Sequence, residues 1–209
     1  MEQTLRDKIL EIKKSLRLAM NGVVSSLQRK QGLDYKINFG VEIPRLKVIA
    51  AQYNPNRDLA LALWQENIRE SKILAILLMP SSEFTADDAQ TWIAEAPFTE
   101  IADQLSMRLL CNIPNAPHHC VEWIEKDEAH FPYCGLLTLS HLFRQGAKLD
   151  EATERRYLTS VANILSSENG NKVLQNCAYA SIQKFCETED NYKKIKSSSS
   201  IRSRWQRAS

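Results

Sequence analysis

Residues 44–53, Pro-Arg-Leu-Lys-Val-Ile-Ala-Ala-Gln-Tyr, carry the pattern from which the fold class follows. Pro44 suits the first position of a helix, where its missing N–H would have no partner, and Asn54-Pro55 ends the run. Between them the apolar side chains recur at i, i+3, i+4 and i+7, which places them on one face of an α-helix. Those side chains belong to Leu46, Ile49, Ala50 and Tyr53. The stretch predicts one short amphipathic helix.

The same helical period continues along most of the chain, and no segment shows the sustained alternation that a strand would need. Turn and cap signals divide the sequence into helices of roughly 10–16 residues joined by short turns, which is typical of stacked helical pairs. The predicted helices span residues 5–20, 23–30, 44–53, 58–66, 70–79, 87–95, 97–112, 117–126, 132–144, 151–166 and 171–187.

Composition excludes several classes of protein. No apolar run reaches the 18 residues of a membrane-spanning helix, and the longest candidate covers only residues 73–79. The first residues are charged and precede no secretory-type apolar segment. The five cysteines form no Cys-x-x-Cys pair, so neither a disulfide framework nor zinc ligation is indicated. We expect a cytoplasmic monomer with no membrane association, no metal and no cofactor.

Charge is distributed unevenly. Residues 1–80 contain 13 Lys and Arg against 8 Asp and Glu, whereas residues 81–150 contain 4 against 11. The last segment, 191–209, has six basic residues and no acidic one. We predict a single repeat domain over residues 1–190 and a weakly ordered, Ser-rich basic tail over 191–209. The tail is either a nucleic-acid arm, with Trp205 available to stack, or a solubilising extension.

Three blocks in the first 80 residues carry a family resemblance. They are residues 21–32 (Asn-Gly-Val through Gln-Arg-Lys-Gln-Gly), residues 39–50 (Phe-Gly-Val-Glu-Ile-Pro-Arg-Leu-Lys-Val-Ile-Ala), and Leu63-Trp64 followed by residues 69–75. In this order and spacing they resemble the DNA alkylation repair enzymes. The resemblance implies an all-α fold, a right-handed superhelical solenoid of HEAT-like, ARM-type antiparallel helix pairs. The individual residues also suit fold-keeping roles: Gly40 allows a free backbone angle before the helix, and Trp64 suits the core.

The resemblance also implies a chemistry. Active members of the family hydrolyse the N-glycosidic bond of alkylated bases in duplex DNA, which lies in a basic groove. A cationic alkylated base is already a good leaving group, so the enzyme needs mainly to stabilise positive charge on the sugar and orient water. A carboxylate can do both. The family motif Trp-Asp-x-Val-Asp corresponds here to residues 99–103, Thr-Glu-Ile-Ala-Asp.

By this correspondence the catalytic candidates are Asp103 and Glu100, three residues apart on one helix face. Phe98 and Tyr179 are the candidate aromatic walls of the substrate site. The family's arginine corresponds to a position near Tyr133, where this chain has no arginine. An alternative stays open for the two acids, because the first turns of a helix favour carboxylates for purely electrostatic reasons. The chain is predicted to be a weak glycosylase for alkylated purines, or a damage binder with a degraded site.

Two kinds of partner fit the sequence. If DNA is the partner, the predicted contacts to its backbone are Arg29, Lys30, Arg45, Lys47, Arg155 and Lys172. If the chain is instead a non-catalytic HEAT-repeat scaffold for a basic protein, the contacting residues are Glu122, Glu125, Asp127 and Glu128. The adjacent run His118-His119-Cys120 lacks the paired spacing that zinc prefers, and we assign it no metal.

Overall fold

The computed structural model describes residues 4–128, 130–167, 170–188 and 190–193. Most of the predicted basic tail lies outside the described residues, so its role and the extent of the single domain remain predictions. Contacts group the chain into two compact units, Met1–Phe84 and Thr85–Ser209. Each unit has its own set of packed helices.

The first unit is built from five α-helices and one short 3₁₀ turn within its described residues. Helix α5 packs against α3 and α4, and α1 packs against α4. Their apolar faces meet in a core of fully or almost fully buried side chains: Leu46, Ile49, Leu63, Trp64 and Ile73. The helices are α1 (Leu5–Leu18), α2 (Gly22–Lys30), α3 (Ile43–Ala50), α4 (Arg57–Trp64) and α5 (Arg69–Leu78), followed by the 3₁₀ turn Ser81–Glu83.

A buried carboxylate holds the loop between α2 and α3. The side chain of Glu70, at the start of α5, is inaccessible to solvent. Its oxygens accept the backbone N–H groups of Phe39 and Val41, both at 3.1 Å, and the Arg69 guanidinium lies 3.1 Å from Oε1. Because the buried charge is paired and hydrogen-bonded, it fixes the loop. Within this loop Gly40 adopts φ 71°, a left-handed conformation that favours glycine.

The second unit is organised around α9. This helix packs against α7, α8 and α11, and α10 packs against α8 and α11. Gly135 permits the close approach of α9 to α8, since a Cβ there would lie 2.5 Å from the Cys120 carbonyl oxygen. The helices are α6 (Ala86–Ala94), α7 (Thr99–Arg108), α8 (Ala116–Ile124), α9 (His130–Arg144), α10 (Glu151–Ser166) and α11 (Lys172–Phe185), with a 3₁₀ turn at Leu110–Asn112.

Most predicted helices are present, and their ends differ by a few residues. Thr85 caps α6 through a capping box, in which its hydroxyl accepts from the Asp88 N–H and the Asp88 carboxylate accepts from the Thr85 N–H. Two proline positions were placed wrongly. Pro97 precedes α7 rather than opening it, and Pro132 lies in the first turn of α9, where a missing N–H costs no helical hydrogen bond.

The regular structure of the described residues is helical. The exception is a single isolated parallel bridge between Ile37 and Ile68. For these residues the prediction that no sheet of three or more strands forms is confirmed. In the same part of the chain, no helix combines the length and apolarity needed to cross a bilayer.

Candidate functional site

The candidate site lies on the face of α7 that carries Asp103. Phe98 is the N-cap of this helix in an extended conformation (φ −148°, ψ 157°), and no side chain caps the helix there. Glu100 occupies the first turn, and Asp103 follows one turn later with its side chain half-buried. The two carboxylates therefore lie on the same side of α7, as their spacing predicts.

A phenol meets the Asp103 carboxylate. Tyr133 of α9 donates a hydrogen bond from its hydroxyl to Oδ1 of Asp103 at 2.7 Å. Burial, together with this hydrogen bond and the Asp103 charge, raises the pKa of Tyr133 far above its usual value. The phenol therefore stays protonated at any physiological pH and acts as a hydrogen-bond donor. It lies near the position where the family resemblance places an arginine, and here the carboxylate contacts a neutral donor.

Four influences set the pKa of Asp103, and their net effect raises it. Burial is the largest and raises the pKa, because it disfavours the charged form. The hydrogen bond from Tyr133 lowers it, the nearby Glu100 charge raises it, and His141 lowers it. A half-buried aspartate with a raised pKa is a candidate for proton transfer or for stabilising positive charge.

Other ionisable groups near Asp103 are held in their neutral forms. Burial raises the pKa of the Cys134 thiol to about 12 and that of Cys177 to about 11, so neither is a ready nucleophile. Burial and the Arg144 charge lower the pKa of His141, while Asp103 opposes that shift. The carboxylate is accordingly surrounded by a phenol, two thiols and an imidazole that are uncharged at neutral pH.

The structure does not bring every predicted site residue to Asp103. From α11, the group that interacts electrostatically with Asp103 is the Cys177 thiol. Tyr179 is two residues further along the same helix, and residues two apart point in roughly opposite directions. Its role as an aromatic wall stays a prediction, as does that of Phe98. Tyr133 was missed as a contact, and the one sequence signal for it was that it lies near the position where an arginine is expected.

The predicted DNA-contacting residues lie on the surface of both units. In the first unit the exposed ones are Arg29 and Lys30 in the last turn of α2, and Arg45 and Lys47 on α3. None of these four makes an ion pair with another described residue. In the second unit Arg155 lies 3.3 Å from Glu151 on the same exposed helix face, and Lys172 is exposed at the start of α11.

The acidic residues of the alternative scaffold surface lie at and beyond the end of α8. Glu125 accepts a hydrogen bond from Arg156 Nε at 3.0 Å, and Glu122 lies 3.2 Å from His119 Nδ1. Asp127 and Glu128 are exposed. Two of these four carboxylates therefore already have basic neighbours. Over the described residues, no group of three or more His, Cys, Asp or Glu side chains is arranged to hold a metal ion.

Helix pairs stacked in this way define a HEAT-like repeat protein, and a solved structure has the same fold. That structure is described as "A new family of proteins related to the HEAT-like repeat DNA glycosylases with affinity for branched DNA structures". The two chains superpose with a TM-score of 0.74 at 14% identity, over 91% of this chain and 82% of the other. The predicted all-α, HEAT-like fold is confirmed.

The sequence profile of the family described as "DNA alkylation repair enzyme" matches residues 30–173, more than half of the chain. This protein belongs to the DNA alkylation repair enzyme family, which confirms the resemblance seen in the three sequence blocks. No curated protein matches the chain in sequence. The family match includes Asp103 and Tyr133 but ends before Tyr179.

Proposed function

We propose that this protein binds duplex and branched DNA, and that its Asp103 site has little or no glycosylase activity. Family membership supports the link to DNA repair. The affinity for branched DNA described for the structural neighbour supports the choice of ligand. The observation that carries the proposal is the set of exposed, unpaired basic side chains on α2 and α3.

Those side chains have the properties that phosphate binding requires. Arg29, Lys30, Arg45 and Lys47 are all exposed, and no described carboxylate neutralises them. The unit that contains them has 13 Lys and Arg against 9 Asp and Glu over residues 1–84. Phosphate contacts by such groups release counterions from DNA and make binding depend steeply on salt. The acidic residues of the scaffold alternative all lie in the other unit, so they do not neutralise this basic surface.

The geometry at Asp103 supports the second half of the proposal. Hydrolysis of a glycosidic bond develops positive charge on the sugar, which a free carboxylate stabilises best. Here one oxygen of Asp103 already accepts the Tyr133 hydroxyl, and the raised pKa weakens the carboxylate's preference for the ionised form. The donor in that hydrogen bond is the neutral Tyr133 hydroxyl and not a cationic group such as an arginine. We therefore expect base release to be slow where it occurs.

The test is DNA binding measured by fluorescence anisotropy over a series of salt concentrations, with duplex and four-way-junction DNA. We expect binding to both, and we expect Arg29→Ala/Lys30→Ala to bind both more weakly. If both side chains contact phosphates, the double substitution should flatten the slope of log K against log salt by about 1.8.

The matched control is Lys184→Ala, because that ammonium group already pairs with Glu187 in the other unit. It should leave the slope unchanged. A wild-type protein that binds neither DNA at low salt would contradict the proposal and favour the scaffold alternative. Equal slopes for the wild type and the double variant would show that α2 does not contact phosphate.

A further inference from the structure

The corner where α1 turns into α2 exposes an unusual group of apolar side chains. Leu18 is 80% exposed, Met20 62%, Val23 81% and Leu27 54%. They lie within ten consecutive residues on either side of a short turn, and Val23 and Leu27 are one helical turn apart on the same face of α2. Single exposed apolar residues are ordinary, but several close together are a candidate binding surface. We call these four residues the apolar corner.

The apolar corner is not part of the core of its unit. Helix α2 has no fully buried residue, and Val23 and Leu27 are both exposed, so these two side chains add little to the core. The backbone of the corner is nevertheless fixed. Asn21 caps α2 by accepting the Val23 and Val24 N–H groups at 3.1 and 3.2 Å, and its own N–H donates to the Phe39 carbonyl at 2.9 Å. The corner therefore presents its side chains in a preset arrangement.

The charged residues on the sequence segment that contains the apolar corner are all basic. Residues 12–33 contain five Lys and Arg and no Asp or Glu. Lys13 pairs with Glu66 at 2.7 Å. The other four are exposed and have no carboxylate partner among the described residues. These four, which we call the basic rim, are Lys14, Arg17, Arg29 and Lys30.

An apolar patch with a basic rim suits a ligand that combines phosphates with accessible apolar faces. A continuous duplex offers phosphates but hides its base faces by stacking. A branch point or an end leaves bases unstacked, and apolar side chains can then pack against them or wedge between base steps. This chemical match goes beyond simple phosphate binding, because it distinguishes two forms of DNA that carry the same charge.

We propose that the apolar corner packs against unstacked bases at a DNA branch point, while the basic rim holds the flanking phosphates. This inference rests on the proposed DNA-binding function. It assigns discrimination between branched and continuous DNA to the corner and affinity for both to the rim. The two contributions are separable, since apolar contacts are insensitive to salt whereas phosphate contacts are not.

The experiment compares the full chain with Val23→Ser/Leu27→Ser, using a four-way junction and a continuous duplex of the same sequence and length. Both side chains are largely exposed, so folding should be retained, which circular dichroism and thermal unfolding verify. We expect the preference for the junction to fall about tenfold or more with an unchanged salt slope, since fully burying a Val or Leu side chain contributes roughly a factor of ten or more to affinity. The matched control is Val173→Ser, a valine 54% exposed on α11, which should keep the preference.

Several outcomes would overturn the inference. If the double variant keeps the wild-type preference for the junction, the apolar corner does not take part in recognition. The same conclusion follows if the wild type binds junction and duplex equally well. Both leave DNA binding itself intact, whereas a wild type that binds no DNA overturns the proposed function as well. A concentration-dependent dimer that the double substitution abolishes would assign the corner to a second copy of this chain. Corner-dependent binding to phosphatidylserine–phosphatidylcholine vesicles would assign it to a lipid surface.

Discussion

At the scale of single residues, the contact between Tyr133 and Asp103 determines what the candidate site can do. The hydroxyl donates to Oδ1 at 2.7 Å and lowers the pKa of Asp103, while burial and Glu100 raise it. The phenol thus keeps the carboxylate more ionised than burial alone would allow. It supplies no positive charge, however, so it cannot replace an arginine that balances charge on the reacting groups.

Base release from alkylated duplex DNA measures whether this carboxylate is catalytic. If the wild type releases 7-methylguanine or 3-methyladenine at all, Asp103→Asn should lower the rate about 10²–10³-fold, because it removes the charge that stabilises the positive sugar. A fully active Asp103→Asn variant would assign the chemistry to another residue. Release by the wild type at the uncatalysed rate would show that the chain does not catalyse this reaction.

The matched variant Tyr133→Phe leaves the Asp103 carboxylate in place and removes only the Tyr133 hydroxyl. It removes the hydrogen bond that lowers the pKa of Asp103, so that pKa should rise further, and NMR titration of the carboxyl carbon should detect it. Any activity would then disappear at a higher pH as the solution is acidified. Tyr53→Phe, in the other unit, should leave the Asp103 titration unchanged. An unaltered titration in Tyr133→Phe would mean that the hydrogen bond does not form in solution.

At the scale of secondary-structure elements, the joint between α2 and α3 depends on one glycine. Gly40 has φ 71°, and a Cβ there would lie 2.1 Å from the Asn21 carbonyl oxygen and 2.6 Å from the Ser25 nitrogen. These backbone atoms belong to the start of α2 and cannot move independently. The same loop is held from its other side by Glu70, so neither the loop nor the helix can move away.

Gly40→Ala should therefore destabilise the protein by about 2–3 kcal/mol, combining the left-handed backbone penalty with the steric overlap. Gly22→Ala is the matched control, since nothing lies within 4 Å of a Cβ there and the residue is helical. It should be neutral or stabilise the protein by up to about 1 kcal/mol. Urea unfolding followed by circular dichroism gives both values. Similar stabilities for the two variants would refute the packing argument.

At the scale of the whole molecule, charge is segregated along the chain. Residues 1–80 have an excess of basic residues, residues 81–150 an excess of acidic ones, and residues 191–209 contain six basic residues and no acid. If DNA contacts only the basic segments, the two ends of the sequence should contribute to affinity and the acidic middle should not. Each phosphate contact that a basic segment makes should steepen the slope of log K against log salt, so removing a segment that contacts DNA should flatten that slope.

Removal of the tail tests this division of roles. A protein that ends at residue 190 should bind duplex DNA more weakly, and its salt slope should be flatter by about 0.9 for each phosphate that the tail had neutralised. If this shorter protein keeps its preference for the junction, the tail contributes charge to binding but does not distinguish branched from continuous DNA, a role that we assign to the apolar corner. Identical slopes for the full-length and shortened proteins would show that the tail takes no part in binding.

Short-range patterns were sufficient to predict the helical fold, the family and the position of Asp103. Helical period, the Thr85 cap and Gly40 are local features, because steric and hydrogen-bonding preferences act over a few residues and are visible in a short window. Proline positions were harder to predict, since Pro97 and Pro132 suit both the approach to a helix and its first turn. The glycosidic-bond chemistry was inferred from the family resemblance of the three sequence blocks and not from any local pattern of residues.

The packing of distant helices determined what surrounds Asp103 and which apolar residues stay outside the core. Tyr133 is 30 residues from Asp103 in sequence, and the two meet because α9 packs against α7 in one particular register. The apolar spacing of Val23 and Leu27 would suit a buried helix face equally well, yet α2 buries neither. Whether an apolar face is covered depends on elements far away in the chain, which a local pattern cannot specify.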